Sequence, residues 1–390
     1  MVGNAYERHI QLHGKMGKSI LVALAAMLCM LVLSASPAWA EDSSITGVAL
    51  GNGFTVYTQG TVDQTSVPDE GLAAVVKWRQ DALNDASIKL KSGSTYVTVK
   101  DYLSQNNISE SDYLNPKWSN ALERIAVQRV VENRDASRFH IRLNGDDCWS
   151  ATYNGHQSWG EVIAWGGSDI SSFVDIWAGE KDEYIKEVNG QTHGVTGHYY
   201  FLINPANKEY GFGVCGEAAA GETAQDGFLT NDPTHFNLKG TYDFPVAVSD
   251  DVLNKGINTD VPSTMKVGDS FTPTATLVFT TSEWPSGKDT YQIHGTWTSS
   301  DASVLSVASD GTVTAAGAGT ATLTLTSQGK TWQYTVQVKQ VQSIAGASVS
   351  PIADQPYTGS AITPSVTVTL NGTTLAKDTD YTVSYSNTLC

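Results

Sequence analysis

Four residues in one stretch of this chain carry side chains suited to acid–base or metal chemistry. Each lies in a different element: His140 in "RFHIRLNG", Glu161 in "SWGEVIAWG", Glu180 in "VDIWAGEKDEY" and His198 in "TGHYYFLINP". Of eight histidines, His9 and His13 fall within the first 40 residues, and four of the other six lie between 140 and 198. Two imidazoles and two carboxylates from four elements suit a hard or borderline divalent ion with open water positions. They also suit general acid–base chemistry. The blander reading of a histidine at the head of an apolar run is a hydrogen-bonded structural residue. His156 is a rival ligand, and His193 reads as loop surface.

The elements that must position these residues mix helical and strand patterns. A first helix is expected over "EGLAAVVKWRQDALNDASIKL". A second, "NPKWSNALERIAVQRVVENRD", has Asn115 as N-cap, Pro116 at the first helical position, and Trp118, Leu122, Ile125 and Arg129-Val130 at helical spacing. A third runs from Ser168 or Asp169 to about Gly190. In it Phe173, Trp177, Glu180 and Tyr184 fall at i, i+4, i+7 and i+11, so the carboxylate lies within an aromatic stripe. An unpartnered buried carboxylate is costly, so Glu180 either snorkels to solvent or faces a polar cleft. "TGHYYFLI" reads as a strand opened by His198, and "YGFGV" as the strand after a turn.

The wording around these residues resembles the CAP superfamily (cysteine-rich secretory proteins, antigen 5 and pathogenesis-related proteins), also called SCP domains. "RFHIRLNG", "GEVIAWG", "WAGE" and "TGHYYFLINPANKEYGFG" occur in the family's order, over roughly residues 72 to 215. The resemblance implies an α-β-α sandwich and a cleft tetrad of His140, Glu161, Glu180 and His198. In it the two histidines bind a divalent metal, often zinc, and Tyr199 holds the family's aromatic position in the cleft. Val162 and Leu143 depart from the pattern, standing where the family has Asn and Pro.

Beyond this region, "WTSSDASVLSVASDGTVTAAGAGTATLTLTSQGKTWQYTVQV" resembles the bacterial Ig-like domain of group 2. Asp310-Gly311 forms its tight turn, Trp297 is its expected core aromatic, and His294 reads as surface. The segment "PYTGSAITPSVTVTLNGTTLAKDTDYTVSYSN" resembles another repeat of bacterial surface proteins, and it breaks off where further strands should follow.

The organisation expected for the 390 residues is therefore α+β, with six parts. These are a signal peptide over 1–40, an arm over 41–71 with strand character at "FTVYTQG", a CAP domain over 72–246, a linker over 247–263, an Ig-like sandwich over 264–339 and an incomplete β module over 343–390. The signal peptide follows from Arg8, Lys15 and Lys18, a 14-residue apolar run from Ile20 to Leu33, and Ala38-Trp39-Ala40. That run is short for a spanning helix, which needs about 20 residues, and no later stretch is a better candidate.

The first 40 residues hold three basic residues and one acidic one; the remainder carries 21 Lys+Arg against 39 Asp+Glu. Such an acidic chain disfavours nucleic acid, which needs a basic footprint. Export permits a disulfide. Cys148 and Cys215 are the expected pair, stabilising by roughly 4 kcal/mol in the chain-entropy model, with Cys390 left over.

The expected protein is secreted or at the cell surface, and displays its cleft on an Ig-like spacer. The cleft holds a divalent metal and a lipid, peptide or cell-wall ligand. In the alternative, Glu161 or Glu180 serves as general base on a metal-bound water, making a metal-assisted hydrolase. Two histidines are fewer protein ligands than the three usual at catalytic zinc, which favours binding.

Overall fold

The structure, a computed structural model, describes residues 45–390 apart from 136–137, 226–232, 283–285, 341–342, 357–358, 379 and 386–390. The leader expected over 1–40 and Cys390 lie outside the described residues. The fold is mixed α+β with several sheets.

The first half contains strands β1 (Phe54–Asp63), β2 (Lys89–Ser92), β3 (Thr95–Thr98), β4 (Lys117–Trp118), β5 (Gly160–Trp165), β6 (Glu209–Cys215), β7 (Ala218–Ala224) and β8 (Lys239–Val248). Its helices are α1 (Val67–Asn84), α2 (Val99–Gln105), α3 (Glu110–Tyr113), α4 (Asn120–Asn133), α5 (Ile170–Ala178), α6 (Lys181–Val188) and α7 (Gly197–Ile203). A short α8 (Asp250–Leu253) follows.

Local chemistry explains the helix starts. Pro68 and the acidic pair Asp69 and Glu70 open α1. Asp169 and Ser172 form a capping box on α5. Helix α4 starts at Ser119, whose hydroxyl accepts from Leu122 N–H, not at Asn115, because Lys117 and Trp118 extend alongside β6 as a parallel strand. The expected strand at "TGHYYFLI" is instead helix α7. The expected long helix through Glu180 is two helices that meet at that residue.

Helices cover both faces of β5, β7 and β6. Val162, Ala164, Ala219, Tyr210 and Phe212 face a core with α1, α5 and α7, while Ile163, Ala218, Ala220 and Cys215 face α4. Gly211 and Gly213 permit the second contact. A Cβ on Gly211 would lie 2.1 Å from Glu123 N, and one on Gly213 would lie 2.5 Å from Ala126 C, so backbone packs on backbone there.

Strand β1 turns the expected arm into part of the main sheet. It pairs antiparallel with β8 along its whole length, and touches β6 at Val62↔Cys215 and a later strand at Tyr57↔Gln292. The second half supplies β9 (Ile257–Thr259), β10 (Thr264–Lys266), β11 (Ser270–Phe271), β12 (Ala275–Thr281), β13 (Gly287–Gln292), β14 (Thr296–Ser299), β15 (Leu305–Val307), β16 (Val313–Ala315), β17 (Gly319–Ser327) and β18 (Lys330–Lys339).

Two small sheets, β10-β18-β17-β14 and β11-β16-β15, enclose a core that includes Leu305, Val313, Leu323 and Val336. The β12–β13 hairpin and β9 leave these sheets and extend the main one, which runs β5-β7-β6-β1-β13-β12-β9. Residues 247–263 thus contribute a helix and a sheet strand where a linker was expected. Past residue 343 three short strands form a separate sheet, with Val368 and Leu370 buried.

Candidate functional site

Strand β5 is an edge of the main sheet, and the candidate site straddles that edge. A cleft of about 180 Å³ is lined by His140, Glu180 and His198 together with Phe139, Ile163, Trp165, Ile176 and Trp177. His140 reaches it from the loop after α4, on one face of the sheet. Glu180 and His198 reach it from the α5–α6 junction and the start of α7, on the other face. The walls are largely apolar, and Phe139 and Ile176 are exposed at the rim.

Each histidine is held by one carboxylate through the same ring atom. His140 Nδ1 lies 2.8 Å from Glu161 Oε1, and His198 Nδ1 lies 2.6 Å from Glu180 Oε1. An ionised carboxylate only accepts, so Nδ1 carries the proton in both rings and each neutral ring keeps a lone pair on Nε2. This is the carboxylate–histidine arrangement that orients imidazoles for a metal. The His140 side chain is 51% exposed and that of His198 is 30% exposed, so both rings meet solvent.

The two carboxylates do more than orient rings. Glu180 Oε2 accepts the backbone N–H of His198 at 2.8 Å and of Tyr199 at 3.3 Å. It supplies the N-terminal cap that Thr196 does not give α7. Burial pushes the Glu180 carboxyl upward, but the bonds to His198 outweigh this and hold it below its ordinary value.

Glu161 has no exposed side-chain surface. Arg129 Nε donates to its Oε2 at 2.6 Å and Nη2 to its Oε1 at 3.2 Å. Burial pushes this carboxyl up too, yet the Arg129 charge and the His140 bond hold it at about 2. Arg129 also donates to Glu132 at 2.6 Å, and Arg142 donates to both oxygens of Glu132, so two buried arginines balance two buried glutamates.

Glu222 stands opposite Glu161 in register on β7. It is buried with no hydrogen-bond partner on either oxygen. Burial and the neighbouring Glu161 charge push its carboxyl well above the carboxylate range, which favours the protonated form. Sequence reasoning did not identify Arg129, Glu132, Arg142 or Glu222 as part of the site. Arg129 did leave a signal, as the charged residue at a core position of its helix.

His140, Cys148 and Glu161 place ligand atoms within 4.8 Å of one another, a group that could hold a metal ion. The donors there are occupied, however. Both Glu161 oxygens bond Arg129, and burial together with the Glu161 charge pushes the Cys148 thiol up, away from the thiolate a metal needs. The lone pairs left open are the Nε2 atoms of His140 and His198.

Two expectations change. Cys148 and Cys215 are free buried thiols, not a bridge. Glu161, beside Cys148, is level with Glu222, whereas Cys215 is level with Ala218 and Trp165. That offset is four residues along the strands, about 13 Å, beyond the reach of a disulfide. Tyr199 is fully buried against Tyr184 and Trp78 and does not line the cleft. His156 pairs through its backbone with Tyr153 and lies outside the cleft lining.

No protein-family model matches the chain, and no curated protein matches it either. The cleft's own geometry therefore carries the functional reading.

Proposed function

We propose that this is a secreted or cell-surface protein of the CAP superfamily whose cleft binds a divalent ion, zinc foremost, and with it a small ligand. The supporting observation is the matched pair of Nδ1–carboxylate bonds on two histidines that line one solvent-open cleft. His140 and His198 would hold the ion, and water or ligand oxygens would complete its shell. The ion would supply a Lewis-acidic centre for an anionic or carbonyl group of the ligand. Phe139, Trp165 and Ile176 would cover the ligand's apolar part, as expected of a lipid, peptide or cell-wall fragment.

Binding is favoured over hydrolysis because neither carboxylate is placed as a general base. Glu161 is sealed beneath Arg129 and His140. Glu180 is committed to His198 and to the end of α7. Incubating the full chain with peptide and cell-wall fragment libraries, with and without chelator, tests this reading. Chelator-sensitive retention without new products is expected. Chelator-sensitive cleavage that survives Glu161→Gln but not Glu180→Gln would favour the hydrolase.

A further inference from the structure

The loop that carries His140 is gripped from both sides by the C-terminal half of the chain. Two residues before His140, the Arg138 guanidinium carbon lies 3.5 Å from the ring centre of Phe279 on β12. Its Nε and Nη2 atoms are buried without a hydrogen-bond acceptor, and the ring face packs against this charge beside the Asp289 carboxyl of β13. Three residues after His140, Leu143 is 1% exposed in a core shared with Ala275, Leu277 and Tyr291 of the β12–β13 segment and with Phe54 and Val246 of the first half. Leu143 is one of the positions where the sequence departs from the CAP pattern, and this core gives that departure a physical reason.

Between these anchors the loop is tightly set. Phe139 has a φ of +52°, and its carbonyl accepts from Arg129 Nη2 at 2.9 Å. Ile141 N–H donates to Arg138 O at 3.1 Å, and Cys148 N–H donates to His140 O at 2.8 Å. The hairpin itself is fixed to the main sheet through β13 and β1.

We infer that the β12–β13 hairpin is a positioning element of the cleft, with Phe279 holding the His140 loop through Arg138. The C-terminal half is then part of the site's scaffold and not a detachable spacer. The effect on metal rests on the metal reading above, whereas the brace on the loop does not.

The test uses the full chain and Phe279→Ala, with Phe279→Tyr as the conservative rescue and Arg138→Gln as an approach from the other partner. Two readouts are taken: zinc affinity, and the rate at which diethyl pyrocarbonate modifies His140 relative to His198. Phe279→Ala and Arg138→Gln should each change the His140 rate at least twofold while leaving His198 unchanged. Each should also weaken zinc binding by about 3- to 30-fold, the range of a part-desolvated cation–π contact. Phe279→Tyr should restore both readouts. Folded Phe279→Ala and Arg138→Gln proteins with wild-type reactivity at His140 would overturn the brace. If Phe279→Ala does not fold, Arg138→Gln alone decides. A changed His140 rate in a protein that binds no zinc even as wild type would uphold the brace and sink the metal reading.

Discussion

Glu180 binds His198 twice: Oε1 meets the ring Nδ1 at 2.6 Å, and Oε2 accepts the backbone N–H of the same residue at 2.8 Å. One carboxylate thus fixes both where α7 begins and which way its first side chain points. The aromatic stripe alone suggests that leucine would suit position 180. The geometry reverses that expectation. Glu180→Leu should destabilise by about 1 kcal/mol, the usual cost of a lost helix cap, and should weaken metal binding. Glu180→Gln should retain more of the stability. Urea unfolding of both variants, with zinc titrations, checks the order.

Glu161 should matter far more to stability. Glu161→Leu leaves the buried Arg129 guanidinium short of its main partner, and breaking such a pair costs about 3–5 kcal/mol. The pH dependence follows in sign. The Glu161 carboxyl titrates at about 2 in the folded chain against an ordinary 4.5. Its contribution is therefore complete above the unfolded value and lost as pH falls from there toward 2. Thermal melts between pH 6 and 3 should show wild type losing stability relative to Glu161→Gln.

The tetrad was legible in the sequence because its residues are few and sit in distinctive local phrases. What holds it was not. The partners of Glu161 are set by helix-on-sheet packing and by the register that puts Glu222 opposite it, and neither leaves a local signature. The run "HYYFLI" has the aromatic and β-branched content of a strand, yet it is helical because Glu180 caps it from 18 residues away. The β-branched and aromatic residues of β12, "ATLVFTT", announce a strand but not its sheet. That it joins β1's sheet and not the two small sheets depends on contacts spanning more than 200 residues.

The thiols give a simple check. Cys148 and Cys215 are buried and unbridged, so the Tm should not change on adding reductant. A thiol reagent should titrate both only after unfolding. A Tm drop in reductant, abolished by Cys148→Ser, would restore the bridge.

The contact between the two halves should respond to pH in the opposite sense to Glu161. Asp289 on β13 is buried and accepts from the Tyr291 hydroxyl at 3.0 Å. Burial first, and then the charge of Asp135, raise its carboxyl to about 7, against the opposing charge of Arg134; Arg138 also faces it. A raised carboxyl favours the protonated folded state, so its contribution is present at low pH and lost as pH rises through about 7. Between pH 5 and 8 wild type should lose stability relative to Asp289→Asn. Parallel melting curves for the two proteins across that range would remove Asp289 from the account.

In the proposed site His140 and His198 hold one ion through Nε2 while their carboxylates keep Nδ1. Long-range proton–nitrogen NMR of the imidazoles during a zinc titration tests it most directly. Nε2 of both His140 and His198 should shift together and saturate at one zinc per chain, Nδ1 should stay protonated in each ring, and His156 should not move. Either His140→Ala or His198→Ala should abolish the response of the other ring. Saturable binding that shifts only one of the two rings, or that shifts His140 through Nδ1 together with loss of the Cys148 thiol proton, would contradict it.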